Sequence, residues 1–216
     1  MRQRLLATDL YCLTASDLSR GRETVEVVEQ MLAAGIRLVQ YREKSKKAAA
    51  QYRECQQLRK MTRDAGAAFV VNDDVALARA VGADGVHIGQ EDLPVPVVRD
   101  LVGPDMAIGV STHGPDQALA AVADGADYIG VGPLFATQTK KDVCAPVGLA
   151  YLDWVAAHID LPFVAIGGIK EHNVAEVVRH GARCVALVTE ITQAEDIAAT
   201  IASVRQTMAA AKGQRG

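Results

Sequence analysis

The stretch ADGADYIG (residues 123–130) runs from a glycine that ends a helix directly into a short apolar strand. Two further stretches, AAGIRLVQ (33–40) and RHGARCVA (179–186), have the same arrangement. Glycine is favoured just after a helix because it adopts a left-handed conformation without strain. Short apolar runs are typical of parallel strands that are covered on both faces. These stretches therefore indicate a repeated helix-to-strand unit.

The same alternation extends along the chain and predicts a single domain, a (β/α)8 TIM barrel over residues 1–216. Strands are predicted near residues 9–13, 36–41, 68–72, 84–88, 106–110, 127–131, 162–166 and 183–188. Helices are predicted near residues 22–34, 46–65, 74–81, 94–101, 115–123, 147–157, 171–179 and 193–211. An open doubly wound sheet is the alternative. The count of units and the absence of a GxGxxG fingerprint after the first strand favour the closed barrel.

The composition narrows the class of protein. Half of the 216 residues are hydrophobic, and the formal net charge is −3. Without a basic stripe, nucleic-acid binding is not expected. The amino-terminal stretch has no long apolar run, so neither a signal peptide nor a membrane span is expected. The cysteines lack CxxC spacing and predict free thiols in a reducing cytoplasm rather than a zinc site; they are Cys12, Cys55, Cys144 and Cys184.

Cationic and amide side chains follow the predicted second strand. In a (β/α)8 barrel the active site forms at the carboxyl ends of the strands. Strand alternation places Gln40, Arg42 and Lys44 on one side of the chain. Such a group suits an anionic ligand, because Arg binds phosphate oxygens with two hydrogen bonds and Lys adds a compact charge. A solvated turn before the next helix is the alternative.

Acidic side chains follow the third and fourth strands. Asp73 and Asp92 are candidate Mg2+ ligands, because Mg2+ takes oxygen ligands and often only one or two carboxylates, with phosphates and water completing its shell. Helix capping is the alternative, and it explains Asp74 and Glu91 readily. His87 lies inside the apolar strand end GVHIG and is expected to be a hydrogen-bonded interior residue rather than a catalyst.

Hydroxyl and cationic side chains follow the fifth and sixth strands. Ser111 either donates a hydrogen bond to a phosphate oxygen or caps the next helix. The loop 132–142 is long for a β–α connection, and long loops are often functional. It carries Thr137, Thr139 and Lys140, which suit a ring or a phosphate. A flexible, solvated lid without such contacts is the alternative.

Two loops near the end of the chain predict a second phosphate site. Gly167 and Gly168 follow the seventh strand, and paired glycines let backbone N–H groups approach a phosphate. Val188 and Thr189 follow the eighth strand, and many barrels bind phosphate with these two loops. Two anion sites at one end of a barrel suit the joining of two phosphorylated small molecules.

Six motifs at these strand ends resemble the thiamine phosphate synthase family. In order they are QYREK (40–44), VNDD (71–74), GVHIGQEDLP (85–94), GVSTH (109–113), GPLFATQTKKD (132–142) and AIGGI (165–169). The resemblance implies a transferase that joins hydroxymethylpyrimidine pyrophosphate to thiazole phosphate with Mg2+, releasing pyrophosphate. No nucleic acid or membrane partner is implied, and whether the chain forms a homo-oligomer is left open.

The resemblance also implies roles for individual residues. Asp73 and Asp92 would hold Mg2+, and Gln40 and residues 137–139 would lie near the pyrimidine or the second substrate. Gly168, Val188 and Thr189 would receive the thiazole phosphate. The pyrophosphate site would comprise Arg42, Lys44, Asn72, Ser111 and Lys140, of which Arg42, Lys44, Ser111 and Lys140 would carry the catalysis.

One departure from the family pattern follows the last strand. Family members often read V-S-A-I there, whereas this chain has Val188, Thr189, Glu190 and Ile191. Glu190 adds a negative charge near the expected monophosphate.

Two alternatives to the synthase are a thiazole tautomerase-like enzyme, which needs no Mg-pyrophosphate site, and a non-catalytic phosphate-binding barrel. A structural interaction protein would not explain polar residues at successive strand ends.

Overall fold

The protein is a closed barrel of eight parallel strands, each hydrogen-bonded to its neighbour in sequence, with β8 returning to β1. A computed structural model describes residue 5 and residues 7–139 and 144–213. The predicted (β/α)8 barrel is confirmed, and the open doubly wound alternative is wrong. The strands are Leu10–Leu13 (β1), Leu38–Tyr41 (β2), Ala68–Asn72 (β3), Gly85–Ile88 (β4), Ala107–Thr112 (β5), Tyr128–Val131 (β6), Phe163–Ala165 (β7) and Val185–Leu187 (β8).

Helices separate the strands close to the predicted bounds. They are Thr24–Ala33 (α1), Ala48–Asp64 (α2), Val75–Val81 (α3), Val95–Val102 (α4), Pro115–Ala123 (α5), Gly148–His158 (α6), Glu171–Arg179 (α7), Thr189–Thr192 (α8) and Ile197–Gly213 (α9). The single helix predicted near 193–211 begins later, because Asp196 accepts a hydrogen bond from the Ala199 N–H and so caps α9. The sequence pattern did not predict the short α8 or the 3-10 turn Ser16–Leu18.

Two apolar layers hold the barrel together. Successive strand residues point to opposite faces, so Leu10 and Cys12 pack outward with the helices, whereas Tyr11 and Leu13 join a cluster inside the barrel. The helices contribute aliphatic residues such as Val28 and Leu58 to the outer layer. This two-layer arrangement excludes water from both faces of the sheet.

Ion pairs tie helices to the amino ends of the strands. Asp84, just before β4, accepts two hydrogen bonds from Arg59 of α2 at 2.8 and 2.9 Å. It also accepts the Phe69 N–H at 2.8 Å. Arg99 of α4 and Asp127, just before β6, repeat the arrangement. Polar groups at this end of the barrel are thus used for stability, which leaves the carboxyl ends for ligands.

Candidate active site

A cavity of about 1040 Å³ opens at the carboxyl ends of the strands. It is lined mainly by the loops that follow β6, β7 and β8, with Arg42 and Ser111 at its edge. Seven predicted site residues line it, namely Arg42, Ser111, Thr137, Thr139, Gly168, Val188 and Thr189. Lys140 lies outside the described residues. Lys44, Asp73 and Asp92 form a separate cluster at the ends of β2 to β4.

Arg42 lies one residue beyond the end of β2. Its backbone is held by Thr14, whose hydroxyl accepts the Arg42 N–H at 2.9 Å and donates to the Arg42 carbonyl at 3.2 Å. The Nε of its guanidinium is buried without a hydrogen-bond partner among the described residues. A buried donor without a partner is costly, and an anion in the cavity would satisfy it. Arg42 therefore suits an anionic ligand.

Lys44, Asp73 and Asp92 form the predicted cation–carboxylate cluster. Lys44 donates a hydrogen bond to Asp73, and Asp73 has a left-handed φ of 62°. Burial raises the pKa of the Asp92 carboxyl. The Gly89 N–H donates to that carboxyl and opposes the shift, whereas the negative charge of Asp73 raises the pKa further. The two acids are thus close enough to repel each other.

This cluster fits a magnesium ion. A divalent cation would remove the repulsion between the two carboxylates, and Mg2+ needs no more than one or two of them when phosphates supply the other oxygens. Within the described ranges, no group of three or more His, Cys, Asp or Glu residues is placed to hold a metal. A site made of protein ligands alone, such as that of structural zinc, is therefore absent from that part of the chain.

Capping distinguishes the acidic residues from one another. Asp74 accepts the Leu77 N–H at 2.8 Å and caps α3. Asp92 caps no helix, since α4 begins after Pro94 without a side-chain cap. The expected cap at Asp74 is confirmed, whereas the capping alternative for Asp92 is wrong. Asn72 is half-buried at the end of β3, next to His87 of β4 in the sheet register.

Gln40 lies inside the barrel, below the cavity. Its Nε2 donates to the Tyr11 hydroxyl at 2.7 Å. Its Oε1 is buried without a hydrogen-bond partner in the described part of the chain. Gln40 and Lys44 therefore differ in environment, because one is buried and the other exposed.

Ser111 lies near the end of β5 at the cavity edge. Its hydroxyl is 2.9 Å from Nε2 of His87, and its carbonyl accepts a hydrogen bond from Gln90 at 2.6 Å. His87 is buried and also contacts the Tyr128 hydroxyl through Nδ1. The expectation that His87 is a hydrogen-bonded interior residue is confirmed.

The loop after β6 packs against the loop after β7. A Cβ on Gly167 would overlap Cα of Pro133, and one on Gly168 would lie 2.6 Å from the Ala136 carbonyl oxygen. Both glycines have left-handed φ angles, 100° and 64°. The paired glycines were predicted from phosphate binding alone. The structure gives a packing reason for both, because close contact between these loops leaves no space for a Cβ at either position.

Thr137 and Thr139 share a hydrogen bond of 3.0 Å between their hydroxyls at the cavity wall. This contact gives residues 137–139 a defined local conformation. His113 supports the start of the same loop, because its Nδ1 is 2.5 Å from the Gly132 carbonyl oxygen.

Lys170 and Glu190 form an ion pair beside the glycines. Lys170 Nζ lies 3.2 Å from Glu190 Oε2 and donates to the Thr189 hydroxyl at 2.9 Å. The other Glu190 oxygen accepts the Glu171 N–H at 2.8 Å, at the start of α7. Lys170 was not among the predicted site residues, although it follows the AIGGI motif directly.

A closed barrel with a large cavity and with Arg42 and Lys170 among its lining residues is typical of one class, the (β/α)8-barrel enzymes that act on small molecules at the carboxyl ends of the strands. A family model described as thiamine monophosphate synthase matches residues 10–191. The chain belongs to the thiamine monophosphate synthase family.

Individual relatives agree with the family match. A thiamine-phosphate synthase of Pelotomaculum thermopropionicum is 61% identical over 201 residues, which cover 93% of this chain and 92% of that protein. One from Lawsonia intracellularis is 55% identical, covering 93% of each. The structure of thiamine phosphate pyrophosphorylase from Pyrococcus furiosus is similar with a TM-score of 0.86 at 33% identity, covering 97% of this chain and 98% of that one. The activity is that of a thiamine-phosphate synthase, a transferase, as the sequence motifs implied.

Proposed function

We propose that this barrel joins hydroxymethylpyrimidine pyrophosphate to thiazole phosphate, with Mg2+, and releases thiamine phosphate and pyrophosphate. One observation carries the choice of substrates. The carboxyl end of the barrel has two chemically different groups of residues suited to anions, one with cations and carboxylates and one with glycines, a hydroxyl and Lys170. A pyrophosphate that binds with a metal ion suits the first region, and a monophosphate suits the second.

The pyrophosphate region would comprise Arg42, Lys44, Asn72 and Ser111, together with Lys140 from the family motif. Support comes from the buried Nε of Arg42, which lacks a hydrogen-bond partner among the described residues. Asp73 and Asp92 would hold Mg2+, which when bound would neutralise the departing phosphate charge. Lys44, which donates a hydrogen bond to Asp73, would add a positive charge for the pyrophosphate beside the metal ligands.

The thiazole phosphate region would comprise Gly168, Val188 and Thr189. The ion pair between Lys170 and Glu190 supports this assignment, because it compensates the negative charge that Glu190 brings to the region. Lys170 would add a positive charge within reach of a phosphate at Thr189. Gln40 and residues 137–139 would lie near the rings of the substrates.

The reaction is a substitution at the pyrimidine methylene carbon. The bond from that carbon to the pyrophosphate oxygen breaks, and its electron pair leaves with pyrophosphate. The aminopyrimidine stabilises the resulting cation, and the thiazole nitrogen then donates its lone pair to form the new carbon–nitrogen bond. The protein's part is to stabilise the leaving charge through Arg42, Lys44, Ser111 and Lys140 and to align the rings. No protein nucleophile is required.

The test is an assay of the purified full chain with both substrates and Mg2+, following thiamine phosphate by chromatography. We expect product that depends on both substrates and disappears with EDTA. Isomerisation of a carboxylated thiazole phosphate without thiamine phosphate would favour the tautomerase instead. Binding of either substrate without any turnover would favour the non-catalytic barrel.

We also propose that the protein works in a reducing cytoplasm. The support is that Cys12, Cys55, Cys144 and Cys184 are all free thiols. Within the described ranges, no helix is long and apolar enough to cross a membrane.

A further inference from the structure

A continuous hydrogen-bond chain crosses the barrel interior and ends at the cavity. Gln40 Nε2 donates to the Tyr11 hydroxyl at 2.7 Å, and that hydroxyl is 3.1 Å from the Tyr128 hydroxyl. Tyr128 in turn is 3.0 Å from His87 Nδ1, and His87 Nε2 is 2.9 Å from the Ser111 hydroxyl. We call these five residues the interior chain. All but Ser111 are buried.

The chemistry of the donors gives the interior chain a direction. In the orientation that the Gln40 amide has here, its nitrogen can only donate, so the Tyr11 oxygen accepts this hydrogen bond. With Gln40 as the donor to Tyr11, the proton of the Tyr11 hydroxyl is left to donate to Tyr128, which is one of the two directions that their 3.1 Å contact allows. In that direction Tyr128 donates its single proton to Nδ1 of His87, 3.0 Å away. Each hydroxyl therefore accepts once and donates once.

The direction determines the tautomer of His87. With Nδ1 accepting from Tyr128, a neutral imidazole carries its proton on Nε2. In this tautomer the Nε2–H donates to the Ser111 oxygen, 2.9 Å away, which directs the Ser111 proton to another acceptor. Ser111 lines the cavity, and an oxygen of a bound anion there would receive its proton.

Two glycines make room for the rings of this chain. A Cβ on Gly109 would overlap the Tyr128 ring, and one on Gly130 would lie 3.3 Å from Cε1 of His87. The two rings also pack together, with centroids 5.5 Å apart. The packing of the two rings against these glycines and against each other therefore fixes the positions of Tyr128 and His87.

We propose that Tyr128 and His87 are positioning residues that hold the Ser111 hydroxyl as a hydrogen-bond donor toward the departing pyrophosphate. The proposal rests on the proposed function, in which Ser111 binds that group. Neither residue is among those that line the cavity, whereas Ser111 is, so the proposed role of both is exerted through the Ser111 hydroxyl. A donor aimed at developing negative charge lowers the barrier more than it strengthens substrate binding.

A double-mutant cycle tests this coupling. Tyr128→Phe removes one hydroxyl from the interior chain, and we expect kcat to fall on the order of tenfold with KM changed little. In a Ser111→Ala background the same change should have no further effect, because the residue it acts through is gone. Tyr151→Phe is the matched control, since it loses a buried hydroxyl bonded to Thr112 instead. Its kcat should stay close to that of the unmodified enzyme.

A second pair of variants covers the case in which Tyr128→Phe does not fold. His87→Gln can still present an N–H to Ser111, whereas His87→Leu cannot. We expect the Gln variant to keep more of the turnover rate than the Leu variant. Multiplicative losses in the double mutant, or unchanged turnover in folded Tyr128→Phe or His87→Leu, would overturn the proposal.

Nitrogen NMR of the protein labelled at histidine measures which nitrogen of the His87 imidazole carries the proton. The measurement does not depend on enzymatic activity. The His87 signals are assigned by their loss in His87→Gln. We expect a protonated Nε2 and an unprotonated Nδ1 in the unmodified enzyme, and a proton on Nδ1 would overturn the assigned direction.

If the unmodified enzyme makes no thiamine phosphate, the proposed function fails and the role of Ser111 fails with it. The tautomer would then decide only the direction of the interior chain.

Discussion

Lys170 Nζ and Glu190 Oε2 lie 3.2 Å apart at the edge of the cavity, and the Glu171 N–H donates to the other oxygen of Glu190. This pair connects the loop after β7 with the residues after β8. It also explains how a carboxylate is accommodated beside a region proposed to bind a phosphate, because a lysine and a backbone N–H already compensate its charge.

Lys170→Met should raise the KM for thiazole phosphate by about tenfold, the loss expected for one charged hydrogen bond. The KM for the pyrimidine pyrophosphate should change less than about twofold, since that substrate is assigned to the other region. Glu190→Gln is the matched control. Its amide oxygen can still accept the Glu171 N–H, and it frees Lys170, so the thiazole phosphate KM should not rise. Equal increases in both KM values for Lys170→Met would contradict the separation of the two regions.

Asp92→Asn should lower turnover by about a hundredfold and raise the Mg2+ concentration needed for half-maximal activity. Asp92 accepts the Gly89 N–H and caps no helix, and an asparagine oxygen can still accept that N–H, so the change should leave the melting temperature nearly unchanged. Asp74→Asn provides the control, because Asp74 caps α3 and an amide oxygen can replace that contact. Steady-state kinetics over a Mg2+ series makes the comparison. An identical Mg2+ dependence in both variants would remove Asp92 from the metal site.

Cys144→Ser should leave kcat and KM within about twofold of the unmodified enzyme. Cys144 is exposed and lines the cavity, yet the proposed substitution uses no protein nucleophile, and serine is nearly isosteric with cysteine. Steady-state assays with both substrates provide the measurement. Complete loss of turnover in a folded Cys144→Ser protein would require a thiol step in the mechanism.

Gly168→Ala should destabilise the protein by about 2 kcal/mol or more, because strain at a left-handed φ adds to overlap with the neighbouring loop. The new Cβ would lie 2.6 Å from the Ala136 carbonyl oxygen. Gly148→Ala separates the two causes. Gly148 has a similar φ of 73° but nothing within 4 Å of an added Cβ, so only about 1 kcal/mol of strain is expected. Urea unfolding of both variants measures the difference, and equal losses would show that the loop contact adds nothing.

Glu43 should contribute stability that disappears in acid. Burial alone would raise the pKa of its carboxyl, but hydrogen bonds from Ser16, Ser45 and the Lys46 N–H lower it to about 2, from an ordinary value of 4.5. A lowered pKa contributes stability that is complete above pH 4.5 and is lost as the pH falls toward 2. The charge-dependent part amounts to at most about 3 kcal/mol.

Glu43→Gln tests this dependence by urea unfolding at pH 6 and at pH 3. The variant should be less stable than the unmodified protein at pH 6, and the difference should shrink at pH 3. Glu195→Gln is the control, because that side chain is 85% exposed, and its effect should be small at both pH values. A difference for Glu43→Gln that is the same at both pH values would refute the pKa shift.

The residues at the strand ends show which features of the site local sequence patterns can predict and which they cannot. Alternation predicted that Gln40 and Tyr41 lie on opposite sides of the strand, and the structure places Gln40 against Tyr11 inside the barrel and Tyr41 against Glu54 of α2. The Asp–Asn richness after β3 and β4 indicated both a cap and a metal ligand, and only the structure separated Asp74 from Asp92. Capping depends on which N–H lies within reach, and the identity of a residue does not specify that.

The sequence by itself determined the fold of this protein, the order of its strands and the residues that reach the carboxyl ends, because apolar periodicity and helix-ending glycines are local signals. Only the tertiary structure decided what those residues contact. Tyr11 meets Tyr128 across 117 positions of the chain, and Gly168 faces the loop after β6. Such contacts follow from barrel closure and strand register, which depend on all eight strands packing together and are encoded in no single segment.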